Sequence, residues 1–346
     1  MMWCERDSPI ITITGLPSVI FDIAMQRGLC QHRLLAGTRL FFDDFLEETR
    51  RISPEQVFTL IQNATSQIPH EELACLAGQR LSSSFPRGLN LTISAASSVA
   101  DLVHVLQRFQ SMFTPLMAPV FFSDNTNVYL RWCDRFGAGR CAEFLQVVYQ
   151  VSLAHFIKQR SGARSSGRYY FQFTEPAGVE HLWLALGDNL AFNQPCNMVC
   201  IAKALWQKAW PGAGVSAFEI ALSSLEELNL RQANEQSSLP SFLEVFAVAL
   251  NDELEHCPQL STVAESMSLS DATLKRRLKK HGTHFQRELD QCRFLRALQL
   301  FCGNKLTCEQ VAEALRFHDA GSFKRSIKRG SGMTPQALMG FSSKFI

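Results

Sequence analysis

The chain has 346 residues, 46% hydrophobic and 19% charged. That balance excludes a disordered protein and leaves length enough for two domains with separate cores. The net charge of +2 hides an asymmetry, because residues 241–346 hold 15 Lys+Arg against 11 Asp+Glu while residues 1–240 hold 19 against 21. Only the last third suits a polyanion. Eleven cysteines without short paired spacing fit neither a disulfide scaffold nor a zinc cluster. No signal-peptide core or long apolar run is present, so the expectation is reduced thiols in a cytoplasmic protein, with no metal, cofactor or membrane partner.

In chain order, IITITG near the start reads as a short extended run closed by Gly15. Residues 17–80 read as helices. Pro17 opens one that Gly28 stops, another carries Phe41, Phe45 and Leu46, and Ser53–Pro54 caps a third carrying Val57, Leu60 and Ile61. His70–Glu71–Glu72 leads into a fourth, LACLAGQRL, and the cluster SSSFPRG ends this part. The spacing of Val99, Leu102, Val103, Leu106 and Phe109 predicts an amphipathic helix over 98–113. Two alternating runs about Asp124–Asn125 predict a β-hairpin, and a long helix follows over about 142–161. RYYFQFT and NMVCIAKALW read as strands, with a short helix and loop between them. The expected architecture is α+β, helices packed on a small, partly antiparallel sheet.

Residues 211–240, with PGAG, the helix VSAFEIALSSLEELNL and the polar run RQANEQSSLP, read as a linker. Its stripe Phe218, Leu222, Leu225 and Leu228–Leu230 could pair two protomers or pack on its own domain. Residues 260–335 then hold one small all-α unit twice. Ser261 or Thr262 is expected to cap a helix carrying Val263, Ala264 and Met267. Ser268–Leu269 turns, and Ser270 caps a basic helix with Leu274 and Leu278 inward. In the second copy Thr307 caps a helix carrying Val311, Ala312 and Leu315, Arg316–Phe317 turns, and Phe323 and Ile327 face inward. Small residues at Ala264 and Ala312 let two helices cross closely and steeply, as in a helix-turn-helix. The intervening rod HFQRELDQCRFLRALQLF carries Phe285, Leu289, Cys292, Leu295 and Leu298 at helical spacing. Its length of about 27 Å holds two recognition helices near one DNA turn, about 34 Å, apart.

These residues, and most specifically LRFHDAGSFKRSIKRGSGMTP, resemble the double helix-turn-helix domain of AraC-family transcription regulators over residues 242–335. GLNLTISAASSVADLVHVLQRF and YYFQFTEPAGVEHLWLALGDNLAFNQP resemble the ligand-binding domain of AraC-type regulators of ornithine and arginine utilisation, and not the cupin barrel of the arabinose sensor. The resemblance implies a regulatory, effector-binding domain over 1–210, the linker over 211–240, and a domain for double-stranded DNA over 241–346. It also implies a small-molecule effector of unassigned identity, contact with RNA polymerase, activation more than repression, and a possible homodimer. In the first basic helix it places Ala272, Lys275 and Arg276 at base edges, with Lys279 on the same outward face. In the second it places Ser322 and Arg325 at base edges and Lys324 and Lys328 at phosphates. A guanidinium can bond a guanine edge at two points, which favours Arg276 and Arg325 as readers. Two departures from the family pattern, Arg316 at a turn position usually held by glycine and Gly330 where an aromatic is usual, predict a smaller contribution from Arg325 than from Arg276.

An enzyme finds no support in this pattern. His104, His155 and His181 lie apart from any nucleophile or carboxylate at telling spacing, GAGR at 137–140 is only a turn, and no phosphate-cradling loop occurs. A structural DNA-binding protein would not need about 210 near-neutral, apolar residues beside its basic part. A regulator whose first domain only dimerises or binds protein, without a small ligand, is the alternative.

Overall fold

The computed structural model describes all residues except 1, 163–166, 213, 233–238, 257, 305 and 344–346. The chain begins with β1 (Ile11–Thr12), α1 (Leu16–Gln26) and α2 (Gln31–Leu35), followed by β2 (Arg51–Ile52), which pairs antiparallel with β1. Helices α3 (Pro54–Thr65), α4 (His70–Arg80), α5 (Arg87–Ala95), α6 (Val99–Arg108) and α7 (Gln110–Phe113) follow. The hairpin β3 (Met117–Ser123) and β4 (Asn127–Asp134) leads into α8 (Ala142–Ser161), then β5 (Arg168–Tyr170), α9 (Val179–Leu186), β6 (Leu190–Ala191) and β7 (Met198–Ala202). Strands β3-β4-β7-β5-β6 form one sheet in that order, antiparallel except for the β5–β6 pair. Helices α10 (Lys203–Trp206) and α11 (Val215–Gln232) connect to the all-helical end. That end comprises α12 (Phe242–Asp252), α13 (Leu260–Ser266), α14 (Asp271–Lys280), α15 (Phe285–Asn304), α16 (Cys308–Ala314), α17 (Ala320–Ser331) and α18 (Pro335–Ser343). The class is the expected one, α+β followed by all-α.

Successive strand residues point to opposite faces, and here both faces are covered. Leu130, Trp132, Tyr169, Val199 and Ile201 join the large core formed with α1, α3, α4, α6 and α8. Their neighbours Tyr129, Tyr170, Met198 and Cys200 face the other way and share a second core with Phe294, Leu298 and Phe301 of α15, Ile327 of α17 and Phe341 of α18. The helical end is therefore docked on the sheet. A third core, Phe242, Phe246, Val263, Leu274, Leu278 and Leu289, lies within the helical end, with Trp3 from the start of the chain packed against it.

Several elements differ from the sequence reading. The helix expected around Phe41, Phe45 and Leu46 is one 3-10 turn, Phe42–Leu46. Phe41 and Leu46 are exposed there, and only Phe45 reaches inward, stacking on Phe21 at 4.3 Å. The helix expected over 98–113 breaks at Phe109, whose backbone leaves the helical region (φ −113, ψ 33) while its ring is buried. The strands RYYFQFT and NMVCIAKALW are shorter than expected, the latter turning into α10 at Lys203. Gln259 occupies the cap position of α13, where Ser261 or Thr262 was expected; Thr262 sits at the third helical position and accepts from the Gln259 N–H (3.2 Å). Within 211–240, Phe218, Leu222 and Leu225 of α11 are buried in the large core, where α11 packs on α5. Most of the polar run RQANEQSSLP lies outside the described residues.

Candidate nucleic-acid interface

The two copies of the repeated unit share their small crossing residues and their turns, while the caps of corresponding helices differ, Gln259 and Thr307 on the first helices and Ser270 and Asp319 on the second. Ser270 caps α14 by accepting from the Thr273 N–H (3.3 Å), and Thr307 caps α16 by accepting from the Gln310 N–H (3.3 Å). Buried Ala264 and Ala312 stand where a larger side chain would force the paired helices apart. Each turn pivots on one left-handed residue, Ser268 (φ 56) and Arg316 (φ 56). The closing bonds match as well: Ser268 N–H to Glu265 O at 2.9 Å and Leu269 N–H to Ala264 O at 2.8 Å, against Arg316 N–H to Glu313 O at 2.9 Å and Phe317 N–H to Ala312 O at 3.0 Å. The non-glycine turn at Arg316 is thus the geometry of the first unit repeated.

On α14, Leu274 and Leu278 are buried, which turns Ala272, Lys275, Arg276 and Lys279 outward; all four are exposed. The other two cations of the helix are engaged. Arg277 pairs with Glu5 and lies over the Trp3 ring (5.1 Å), while Lys280 reaches Glu5 (2.6 Å) and Asp7 (2.9 Å). The Lys280 ammonium holds the Asp7 carboxyl below the ordinary range. Positive charge on α14 is thereby concentrated on the row 275, 276 and 279.

On α17, Phe323, Ser326 and Ile327 are buried, and Lys324, Arg325 and Lys328 are exposed. Ser322 is half-buried, and its hydroxyl is not idle: it donates to Asp319 (2.7 Å) and accepts from Arg325 Nη2 (2.9 Å). Asp319 also caps the helix through the Ser322 N–H (2.8 Å), so one carboxylate orders both residues expected at base edges. Behind this row, buried Asp290 of α15 accepts from Ser326 (2.6 Å) and from two nitrogens of Arg329 (2.6 and 3.0 Å). Burial raises the Asp290 carboxyl, but Arg329 and Ser326 outweigh it and hold it below the ordinary range. At Gly330 an added Cβ would lie 2.5 Å from the Asp290 carbonyl oxygen. The absent side chain is what lets α17 lie directly on α15, so the second unit is seated without the aromatic residue the family pattern leads one to expect.

Sequence reading missed these restraints. Glu5 and Asp7 lie some 270 residues from the helix they engage, and Asp290 reads locally as one more polar position on an amphipathic rod. The expected rod stripe is only partly inward, with Leu289 and Leu298 buried and Phe285, Cys292 and Leu295 half-buried; Phe294, Ala297, Phe301 and Cys302 are buried beside them. Among the described residues no group of three or more His, Cys, Asp or Glu could hold a metal ion, and no helix is long and apolar enough to cross a membrane.

Two exposed cationic helix faces carried by two matching helix-turn-helix units form the geometry of a protein that reads duplex DNA. A helix-turn-helix domain model matches residues 263–340. The model of the arabinose-binding domain of AraC transcription regulators, N-terminal, matches residues 28–209, more than half of the chain. The chain belongs to the AraC family of transcription regulators.

This AraC-family regulator is 20% identical over 319 residues to the Ornithine utilization regulator of Pseudomonas aeruginosa, a match spanning 91% of this chain and 92% of that one. It is 22% identical over 149 residues to the HTH-type transcriptional regulator VqsM of the same species, 43% of each chain. Over 96 residues it is 28% identical to the HTH-type transcriptional regulator GadX of Escherichia coli O6:H1, 28% of this chain and 35% of GadX. Of solved structures, the transcriptional regulator CdpR from Pseudomonas aeruginosa matches 81% of this chain and 96% of its own, at 18% identity and a TM-score of 0.34.

Proposed function

We propose that this regulator binds specific promoter sites through α14 and α17 together, and that a small-molecule effector in residues 1–210 controls the binding. The observation that carries the reading is the pair of exposed rows, Lys275, Arg276 and Lys279 on one helix and Lys324, Arg325 and Lys328 on the other. Arg276 and Arg325 read bases, with Ala272, Lys275 and Ser322 beside them, while Lys324 and Lys328 contact phosphate and supply salt-sensitive affinity. Residues 241–346 act as the DNA-binding domain, with 211–240 joining it to the regulatory part.

Activation, with contact to RNA polymerase, rests on family membership. A cytoplasmic location and a homodimer complete the reading. Selection of bound duplexes from fragmented genomic DNA by the full-length protein tests it. A short set of related promoter sites is expected, and recovery of random fragments with uniform salt sensitivity would contradict it.

A further inference from the structure

Residues 1–210 contain a cavity of about 80 Å³ between the β1–β2 ladder, the start of α5 and α7. The strand register builds its polar wall. Thr12 and Arg51 are partners across the antiparallel ladder, so their side chains leave the same face, while Ile11 and Ile52 on the other face are buried in the large core. Arg51 is the one charged side chain in the lining, and among the described residues no Asp or Glu lies there. It bonds the Ile10 carbonyl through one nitrogen (3.3 Å), and a guanidinium has five N–H donors. Thr14 and, from α7, Ser111 bring two more hydroxyls. The hydroxyls of Thr12, Thr14 and Ser111 make no hydrogen bond among the described residues, and none of them is sealed in the protein interior.

Gly15, the cap residue of α1, forms another part of the wall and has no side chain to cap that helix. The positive end of α1 therefore adds to the charge of Arg51. Phe85 and Met112 supply an apolar side. A water molecule needs about 10–15 Å³ of such space, so the cavity takes a ligand of about five to eight non-hydrogen atoms. Aromatic acids, sugars and nucleotides are too large. One guanidinium balances one negative charge, which favours a monoanion over a phosphate dianion, and an ammonium group would meet no counter-charge.

The same cavity touches the element that joins the two parts of the molecule. Ser111 adjoins Gln110, whose amide donates to Glu244 of α12 (3.0 Å). Arg135 pairs with Glu244 (2.8 Å) and also donates to the Pro115 carbonyl just after α7 (2.6 Å). Glu244 in turn accepts from the Ser241 N–H (2.7 Å) and so closes the capping box at the start of α12. The cavity and the first helix of the DNA-binding part thus share α7 as a neighbour.

We propose, on the effector-controlled reading given above, that this cavity is the effector site, that its ligand is a short-chain hydroxycarboxylate, and that α7 carries occupancy to Glu244. The carboxylate lies on the Arg51 guanidinium, which meets it at two points. The ligand hydroxyl bonds Thr12 and Ser111, and the short carbon chain lies against Phe85 and Met112. Contact with Ser111 draws α7 toward the β1–β2 ladder, and Gln110 passes that shift to Glu244.

The test uses full-length protein with glycolate, lactate and 3-hydroxybutyrate, set against propionate, lactamide, inorganic phosphate and putrescine, read by calorimetry, thermal shift and DNA anisotropy. At about a hundredfold their Kd the hydroxy acids are expected to raise Tm by about 2 °C or more and to change DNA affinity. Propionate and phosphate should bind more weakly, and lactamide and putrescine not at all. Arg51→Gln should weaken the hydroxy acids at least about tenfold, the scale of a lost charged contact, and Thr12→Val by about three- to tenfold. Gln110→Ala should keep the thermal shift and lose the change in DNA affinity. Hydroxy-acid binding that survives Arg51→Gln overturns the site, and unchanged binding in Thr12→Val does so even where Arg51→Gln fails to fold. Equal affinity for propionate, phosphate and the hydroxy acids overturns the ligand class. A thermal shift from other metabolite classes with none from these acids overturns the site while effector control stands. If no compound of any class alters DNA affinity, effector control fails and the regulatory role of the cavity with it.

Discussion

Gly330→Ala tests how the second recognition helix is held. The new Cβ would lie 2.5 Å from the Asp290 carbonyl oxygen and 2.9 Å from Phe294 Cβ. Both belong to the core of the rod α15, so neither is the free end of a flexible side chain. Relief requires α17 to move off α15, which also stretches the Ser326 and Arg329 bonds to Asp290. Overpacking of this kind costs about 1–3 kcal/mol. Gly340 is the control: it is also helical, nothing lies within 4 Å of an added Cβ, and alanine there is expected to stabilise by about 0.5–1 kcal/mol. Urea unfolding of both full-length variants gives the stabilities. Anisotropy with duplexes altered in one half of the site then gives the DNA effect. Gly330→Ala should lose discrimination in the half read by α17 and keep it in the half read by α14. An unchanged urea midpoint, or equal losses in both halves, would refute the seating argument.

Other consequences are as direct. Ser268 is exposed in a left-handed turn, so Ser268→Gly should raise the urea-unfolding free energy by about 0.5–1 kcal/mol by removing a Cβ that costs about 1–2 kcal/mol there. Asp290→Ala should cost about 2–3 kcal/mol, because it leaves the buried Ser326 hydroxyl and the Arg329 guanidinium without their acceptor; thermal unfolding measures it. Burial depresses the His281 pKa below 6.5, so the unfolded chain binds the extra proton first and the neutral ring's stabilisation, full above about pH 6.5, is lost as pH falls through the depressed value. The urea midpoint should fall between about pH 7.5 and 5.5, and His281→Gln should flatten that fall. Gly137 sits at φ 73 with the His281 carbonyl oxygen 2.0 Å from where a Cβ would stand; Gly137→Ala should speed proteolysis of the segment joining the two parts.

The repeated unit was legible because everything that makes it is local. Caps at Ser270 and Thr307, small residues at Ala264 and Ala312, and basic residues opposite buried Leu274 and Ile327 all lie within a few turns of chain. The α+β character of the first part was legible from the 124–125 turn between its two alternating runs and from the capped helices before it. What was hidden depends on distant partners. Phe109 breaks a helix that its own neighbours favour. MVCIA is apolar throughout because Met198 and Cys200 face α15 while Val199 and Ile201 face the large core, and no local period separates that from an ordinary strand in one domain. The exposed cations were identifiable as a row, but the removal of Arg277 and Lys280 from it depends on Glu5 and Asp7.

Specific DNA reading by both helix faces is tested most directly by competitive binding of full-length protein and single-alanine variants to a selected site, its base-pair swaps and a scrambled duplex. Arg276→Ala and Arg325→Ala should each lose about 1–3 kcal/mol on the selected site, abolish preference at one base pair, and leave scrambled DNA nearly unaffected. Lys324→Ala should weaken all duplexes alike and reduce the salt slope by about 1. Equal losses on selected and scrambled DNA for both arginine variants would make these faces phosphate contacts only and contradict sequence reading through α14 and α17.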